Sequence, residues 1–175
     1  MKRFAMMAAA ALLAAGCGSN SNPQSPSTPP SSIAFTAALN ASNEVPPITN
    51  ADANGRGSGT FTLNLTRDSA GTITAATGTF VFNLSGFPAG TTVRATHIHE
   101  GGPGIGSGSV VIDSGLTAAN AIPLPDGTVG NQTFTNSSVS PTLAQRIIDN
   151  PNGFYFNVHT GLNPGGAVRA QLVKQ

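Results

Sequence analysis

Two stretches, Thr60-Phe61-Thr62-Leu63-Asn64-Leu65 and Thr79-Phe80-Val81-Phe82-Asn83-Leu84, set apolar residues at every second position, with Val81 the one exception. A period of two fits an extended strand with one face in a core and one in water, and no helix can bury such a pattern. Arg67-Asp68-Ser69-Ala70-Gly71 between them has the polar, glycine-ended chemistry of a hairpin loop, so the two segments are expected to lie antiparallel. Six more strand candidates follow the same logic: Ile33–Leu39, Thr91–His99, Ser109–Asp113, Gln132–Val139, Gly153–Thr160 and Ala167–Lys174. With 21 glycines and 13 prolines punctuating short strands, the expected fold is all-β, an antiparallel Greek-key-like sandwich or barrel. One short helix is expected over Pro141–Asn150, with Ser140 as its N-cap and proline in the first turn, where a missing N–H costs nothing.

The first residues are of a different kind. Met1-Lys2-Arg3 is a positive start, Phe4 to Leu13 is an unbroken apolar run, and Ala14-Ala15-Gly16-Cys17 follows. That is the layout of a signal peptide over residues 1–16. The run is shorter than the ~20 apolar residues a membrane-spanning helix requires. Leu13-Ala14-Ala15-Gly16-Cys17 resembles the lipobox of bacterial lipoproteins, which implies cleavage ahead of Cys17 and acylation of its sulfur with diacylglycerol and palmitate-type chains. Cys17 is the sole cysteine, so no disulfide forms within the chain and any metal site must use nitrogen or oxygen.

Residues 17–32 are the lipidated cysteine and a Pro/Ser-rich tether, GSNSNPQSPSTPPSS after Cys17, which reaches ~45 Å at ~3.1 Å per residue when extended. Residues 33–175 suit one β domain with a single core. The expected address is extracytoplasmic and lipid-anchored, at the outer membrane or cell surface in a Gram-negative host, because Gly18-Ser19 lacks the aspartate associated with inner-membrane retention. Of 8 Lys and Arg, two leave with the leader, so 6 face 7 Asp and Glu. So weak a charge excludes nucleic acid as an electrostatic partner.

Three further stretches carry the chemistry: Asn43-Glu44-Val45-Pro46-Pro47, then His97-Ile98-His99-Glu100-Gly101-Gly102-Pro103-Gly104, then Asn157-Val158-His159-Thr160 with Asn163-Pro164-Gly165-Gly166 and Arg169. In this order and combination, from about Phe35 to Leu172, they resemble the CHRD domain, named from chordin. The resemblance implies an extracellular β module, with Asn43, Glu44, Pro46, Pro47, Asn163, Pro164, Gly165 and Gly166 as structural motif positions.

All three histidines of the chain fall inside these motifs. On a strand, His97 and His99 project to one face about 6.5–7 Å apart, a spacing at which two imidazoles can share one ion. His159 ends another strand and would complete a three-nitrogen site suited to copper or zinc. The competing reading has the histidines bonding loop carbonyls at a sheet rim. Glu100 is a candidate to orient an imidazole, and Asn157 and Arg169 are candidates to support the site or attract an anion. The strand parities place His159 and Arg169 together on the face opposite Val158 and Val168. For both His97 and His99 to face outward with Val93 in the core, a bulge near Thr96 is expected.

His97-Ile98-His99-Glu100 also resembles the copper-ligand strand of copper/zinc superoxide dismutases. By that resemblance His159 matches the late copper ligand and Arg169 the superoxide-attracting arginine. The bridging and zinc-site histidines have no counterpart. Gly101–Gly108 lacks the lysine of a phosphate loop and opens no helix, no G-x-S-x-G elbow is present, and the only thiol is consumed by lipid. Glu44, flanked by prolines downstream, is expected to accept bonds from a loop or to pair with an arginine. Asp52, Asp68, Asp113, Asp126 and Asp149 lack calcium-loop spacing and are assigned to turns and surface.

The reading that follows is a non-enzymatic, membrane-anchored module that binds a metal ion or an unknown extracellular partner. The alternatives are a copper oxidoreductase of dismutase type and a purely structural or adhesive surface module.

Overall fold

The computed structural model describes residues 29–175. The signal peptide, Cys17 and most of the tether lie outside the described residues. The described residues are all-β with a single α-helix, as the alternation requires. Ten strands form one antiparallel sheet, with β1 Ser32–Asn40, β2 Arg56–Arg67, β3 Ile73–Ser85, β4 Thr91–Glu100, β5 Ser109–Asp113, β6 Ile122–Leu124, β7 Val129–Val139, β8 Phe154–Thr160, β9 Val168–Gln171 and β10 Val173–Lys174. The order is β5-β4-β8-β9-β1-β2-β3-β7, with β10 beside β1 and β6 beside β4.

The long hairpin β2–β3 aligns Phe61 with Phe80 and Leu63 with Gly78. Asp68 caps its loop by accepting from the Ala70 and Thr72 amides, and Gly71 supplies the positive φ of 85° that the turn demands. The sheet is not closed; it folds over so that its two halves face each other as a sandwich. Phe156 of β8 meets Phe80 and Phe82 of β3 with ring centroids 5.5 and 6.4 Å apart, both edge-on. Edge-on contacts place the positive ring edge against a negative face and add to the area term. Helix α1, Pro141–Asp149, begins where Ser140 Oγ accepts from the Leu143 amide and buries Ala144 and Ile147.

Strand β8 positions the site. It is buried along its whole length. Phe154, Phe156 and Val158 fill the core, whereas Tyr155, Asn157 and His159 point to the opposite face and are roofed by the loops 41–55, 101–108 and 161–167. Asp52 holds this roof together, contrary to its assignment to the surface. It is 1% exposed and its Oδ2 accepts from Thr160 Oγ1 at 2.7 Å and Asn163 Nδ2 at 2.6 Å. A buried carboxylate requires such donors to offset its lost hydration.

The bulge that turns the histidines outward lies two residues before Thr96, near which it was expected. The β4–β8 register slips between Val93 and Ala95, not at Thr96, so Val93 enters the core while Ala95, His97 and His99 face outward. Arg94 is the extra residue and is exposed. An arginine is easily left on the surface, which is why the slip falls there.

Candidate metal centre

Antiparallel pairing puts directly opposed residues on one face. His97 opposes Asn157, which opposes Arg169; Ala95 opposes His159; His99 opposes Tyr155. The three histidines therefore converge from β4 and β8. One ligand nitrogen from each lies within 4.8 Å of the others. The closest pair, His97 Nδ1 and His159 Nε2, is 3.1 Å apart.

Backbone carbonyls fix two of the rings. His99 Nδ1 donates to the Gly108 carbonyl at 2.9 Å and His159 Nδ1 to the Pro164 carbonyl at 3.0 Å. A carbonyl only accepts, so each of these nitrogens carries the proton and each Nε2 presents a lone pair. His99 Nε2 is buried with no hydrogen-bond partner. His97 Nδ1 then donates to His159 Nε2, and His97 Nε2 faces Asp113 Oδ2 at 3.8 Å. His99 and His159 are buried, while the His97 side chain is 16% exposed and forms the open side of the cluster.

Burial holds all three imidazoles neutral. Desolvation lowers the pKa of His97, with the Asp113 charge working against it. For His99, desolvation again dominates over the Gly108 bond, and His97 and Arg169 depress it further. His159 is brought down to about 4 by desolvation and by His97, against the bond to Pro164. Neutral imidazoles are what a divalent ion binds, and Nδ1–H bonds to carbonyls are the usual outer support of such ligands. With Zn–N or Cu–N bonds of ~2.0–2.1 Å, tetrahedral ligand nitrogens stand roughly 3.3 Å apart. The His97–His159 pair already meets that spacing, and the most distant pair closes by a further ~1–1.5 Å when an ion is held. The donor set fits copper or zinc.

Behind the histidines a stack runs inward. His99 lies parallel to Tyr155, at 10° and 4.9 Å, and the Arg169 guanidinium covers the other side of that ring at 4.5 Å. Tyr155 Oη accepts from the Gly108 amide, which fixes the loop whose carbonyl orients His99. Arg169 donates through Nε to the Asn43 carbonyl at 2.8 Å and stands 4.0 Å from Glu44 Oε2. It is 2% exposed. It does not face the open side beside His97, as an arginine drawing superoxide to a metal would.

Burial pushes the Glu44 carboxyl up to about 7 against the pull of Arg169. Gly166 explains how Glu44 and Asn157 fit. A Cβ there would stand 2.6 Å from Asn157 Nδ2 and 2.8 Å from Glu44 Oε1, at a φ of 136°. Only glycine permits that approach.

Glu100 does not orient an imidazole. It points to the other side of β4 and pairs with Arg146 of α1. Asn157 lies between His97 and Arg169, yet its Oδ1 has no hydrogen-bond partner and orients no ring. Asp113 was missed as a neighbour of the site because its place depends on the β4–β5 register, which opposes it to His97. The Gly108 and Pro164 carbonyls carry no side-chain signal, and only their positions beside H-x-H and NPGG hint at them.

A family model for the CHRD domain matches residues 35–172. No curated protein and no solved structure matches the chain. The match spans all three loop-borne motifs, and they are the segments that assemble the roof and walls of the histidine cluster.

Proposed function

This chain belongs to the CHRD domain family, and from that premise we propose that it is an exported, lipid-anchored binding module whose His97, His99 and His159 hold one copper or zinc ion. The observation that carries the metal reading is the pair of carbonyl-fixed rings, His99 and His159, whose Nδ1 protons are spent on the Gly108 and Pro164 carbonyls so that Nε2 is left as the lone-pair donor of each. A structural rim would spend those nitrogens on loop hydrogen bonds, yet His99 Nε2 is buried without one.

With an ion held, His97 would ligate through Nδ1 and carry its proton on Nε2, the nitrogen 3.8 Å from Asp113 Oδ2. Asp113 would favour that tautomer electrostatically, while the Gly108 and Pro164 carbonyls fix the other two rings by hydrogen bonds. The ion supplies Lewis acidity and an attachment point for a further ligand on the His97 side.

The anchor rests on the leader alone: a basic start, an apolar run and the small residues before Cys17. Strand β1 starts at Ser32, where the tether joins, and ends at Asn40 against Arg169. Nine residues at ~3.3 Å each separate the two ends by roughly 30 Å, so the end of β1 beside Arg169 stands far from the point where the tether joins.

Full chain purified in detergent without a histidine tag is expected to bind one copper or zinc ion per molecule. A triple variant, His97→Ala, His99→Ala and His159→Ala, is expected to bind none above background. Equal metal content in the two proteins refutes the metal reading.

A further inference from the structure

The histidine cluster is closed to an ion arriving from solvent. His99 Nε2 is buried. His159 Nε2 is capped by the N–H of His97 Nδ1, 3.1 Å away. Neither nitrogen can meet a metal until the His97 ring turns aside. His97 is also the ring least held in place. The Gly108 and Pro164 carbonyls fix His99 and His159, whereas neither nitrogen of His97 bonds a backbone group among the described residues, and its side chain is 16% exposed.

The outward nitrogen of His97 has a partner of its own. A neutral His97 that donates through Nδ1 carries a lone pair on Nε2. That lone pair faces Asp113 Oδ2 at 3.8 Å, in the register that opposes the two residues across β4 and β5. The other carboxylate oxygen, Oδ1, accepts from the Gly115 amide at 2.7 Å, which steadies the group and leaves Oδ2 to His97. An imidazole lone pair and a carboxylate oxygen with no proton between them attract a cation. Bonds of ~2.0–2.2 Å let one ion bridge two such atoms up to about 4 Å apart. Asp113 is 60% exposed, so its charge reaches an approaching ion.

We infer that His97 Nε2 and Asp113 Oδ2 form an outer capture site for a divalent cation, and that His97 is the gate through which the ion passes to the inner cluster. This deepens the metal reading and rests on it. On transfer the hydrogen bond from His97 Nδ1 to His159 Nε2 breaks, and the ion leaves Asp113 Oδ2 and His97 Nε2 to bond the Nε2 atoms of His99 and His159. The His97 ring closes behind it as the third ligand through Nδ1. The Nδ1 proton goes to water and water returns one to Nε2 on the exposed side, so the step releases no net proton. Asp113 acts before transfer as a ligand and after it as the carboxylate beside the Nε2–H. The entrance thus admits cations and repels small anions.

Tyr155 supplies the readout. It is the sole tyrosine in a chain without tryptophan and stacks on His99 at 4.9 Å, so its fluorescence reports an ion that has reached the inner cluster. Full chain in detergent is mixed with copper(II) at low ionic strength and the quenching of Tyr155 is followed by stopped flow. Asp113→Lys is expected to slow loading at least about tenfold, and Asp113→Asn to slow it less. Asp149→Lys, the same change of charge at an exposed position of α1, is expected to leave the rate unchanged. His97→Ala is expected to bind copper more weakly, having lost a ligand, and yet to load faster than wild type, having lost the gate. Loading by His97→Ala that is no faster than wild type, or equal rates in Asp113→Lys and Asp149→Lys, overturns the capture site and gate while the inner centre stands. Absence of quenching in every protein overturns both.

Discussion

His97 Nδ1 stands 3.1 Å from His159 Nε2, and the two residues belong to neighbouring strands whose register places His159 opposite Ala95 rather than opposite His97. The contact is thus diagonal across the sheet, and the bulge at Arg94 makes it. Without that slip Val93, His97 and His99 would share one face of β4, putting either the histidines in the core or Val93 among the loops.

The diagonal contact gives a pH prediction. His159 is brought down to about 4 from an ordinary 6.5. The unfolded chain therefore takes up a proton between these values that the folded chain refuses. Stability from this group is complete above pH 6.5 and declines as pH falls toward 4, by about 3 kcal/mol at 1.36 kcal/mol per pKa unit. Glu44 contributes with the opposite sign over an overlapping range, so the difference in stability between metal-free wild type and His159→Gln is the quantity expected to fall as pH drops from 6.5 toward 4, and denaturant melts of the two proteins measure it.

Glu44 acts with the opposite sign. Its carboxyl is raised from 4.5 to about 7, so the unfolded state loses its proton first and stability declines as pH rises from 4.5 through about 7. The difference in stability between wild type and Glu44→Gln is expected to decline over that range, whatever the variant's absolute stability. A profile between pH 5 and 8 for wild type and variant checks it.

Gly166→Ala is expected to cost about 1–3 kcal/mol, because its methyl overlaps Asn157 and Glu44 at once and the backbone holds a φ of 136°. Thermal denaturation measures it. Gly165→Ala is the control, since nothing approaches its Cβ position within 4 Å.

Asp113→Asn is expected to weaken metal binding about tenfold, the lower end for loss of an outer carboxylate partner, because Asp113 is largely exposed. Competition with a chromophoric chelator reads the affinity. An unchanged affinity would mean that the His97 tautomer needs no carboxylate.

Much of this was legible in the sequence for definite reasons. The alternation through Phe61, Leu63, Phe80 and Phe82 dictated strands, and Ser140-Pro141 marked the helix start. The parity of β8 and β9 put His159 and Arg169 on one face before any coordinates. Strand β6 was not legible, because three residues carry no period and Pro123 argues against a strand. The need for the slip was legible and its place only to within two residues, since sequence says that a bulge is needed and not which peptide supplies it. Asp52 was read as surface, and Asp113, which is on the surface, was not read as a neighbour of the site, because their partners Thr160 and His97 lie more than fifteen residues away. Glu100 misled for the same reason: adjacency to H-x-H counted, while strand parity and Arg146 decided.

The most direct test of the central claim is X-ray absorption at the metal edge of full chain loaded with one equivalent of copper or zinc. Three imidazole nitrogens at ~2.0–2.1 Å are expected, falling to two in His97→Ala. A spectrum unchanged by His97→Ala, or dominated by oxygen scatterers, would contradict the assignment of His97, His99 and His159 as one metal centre.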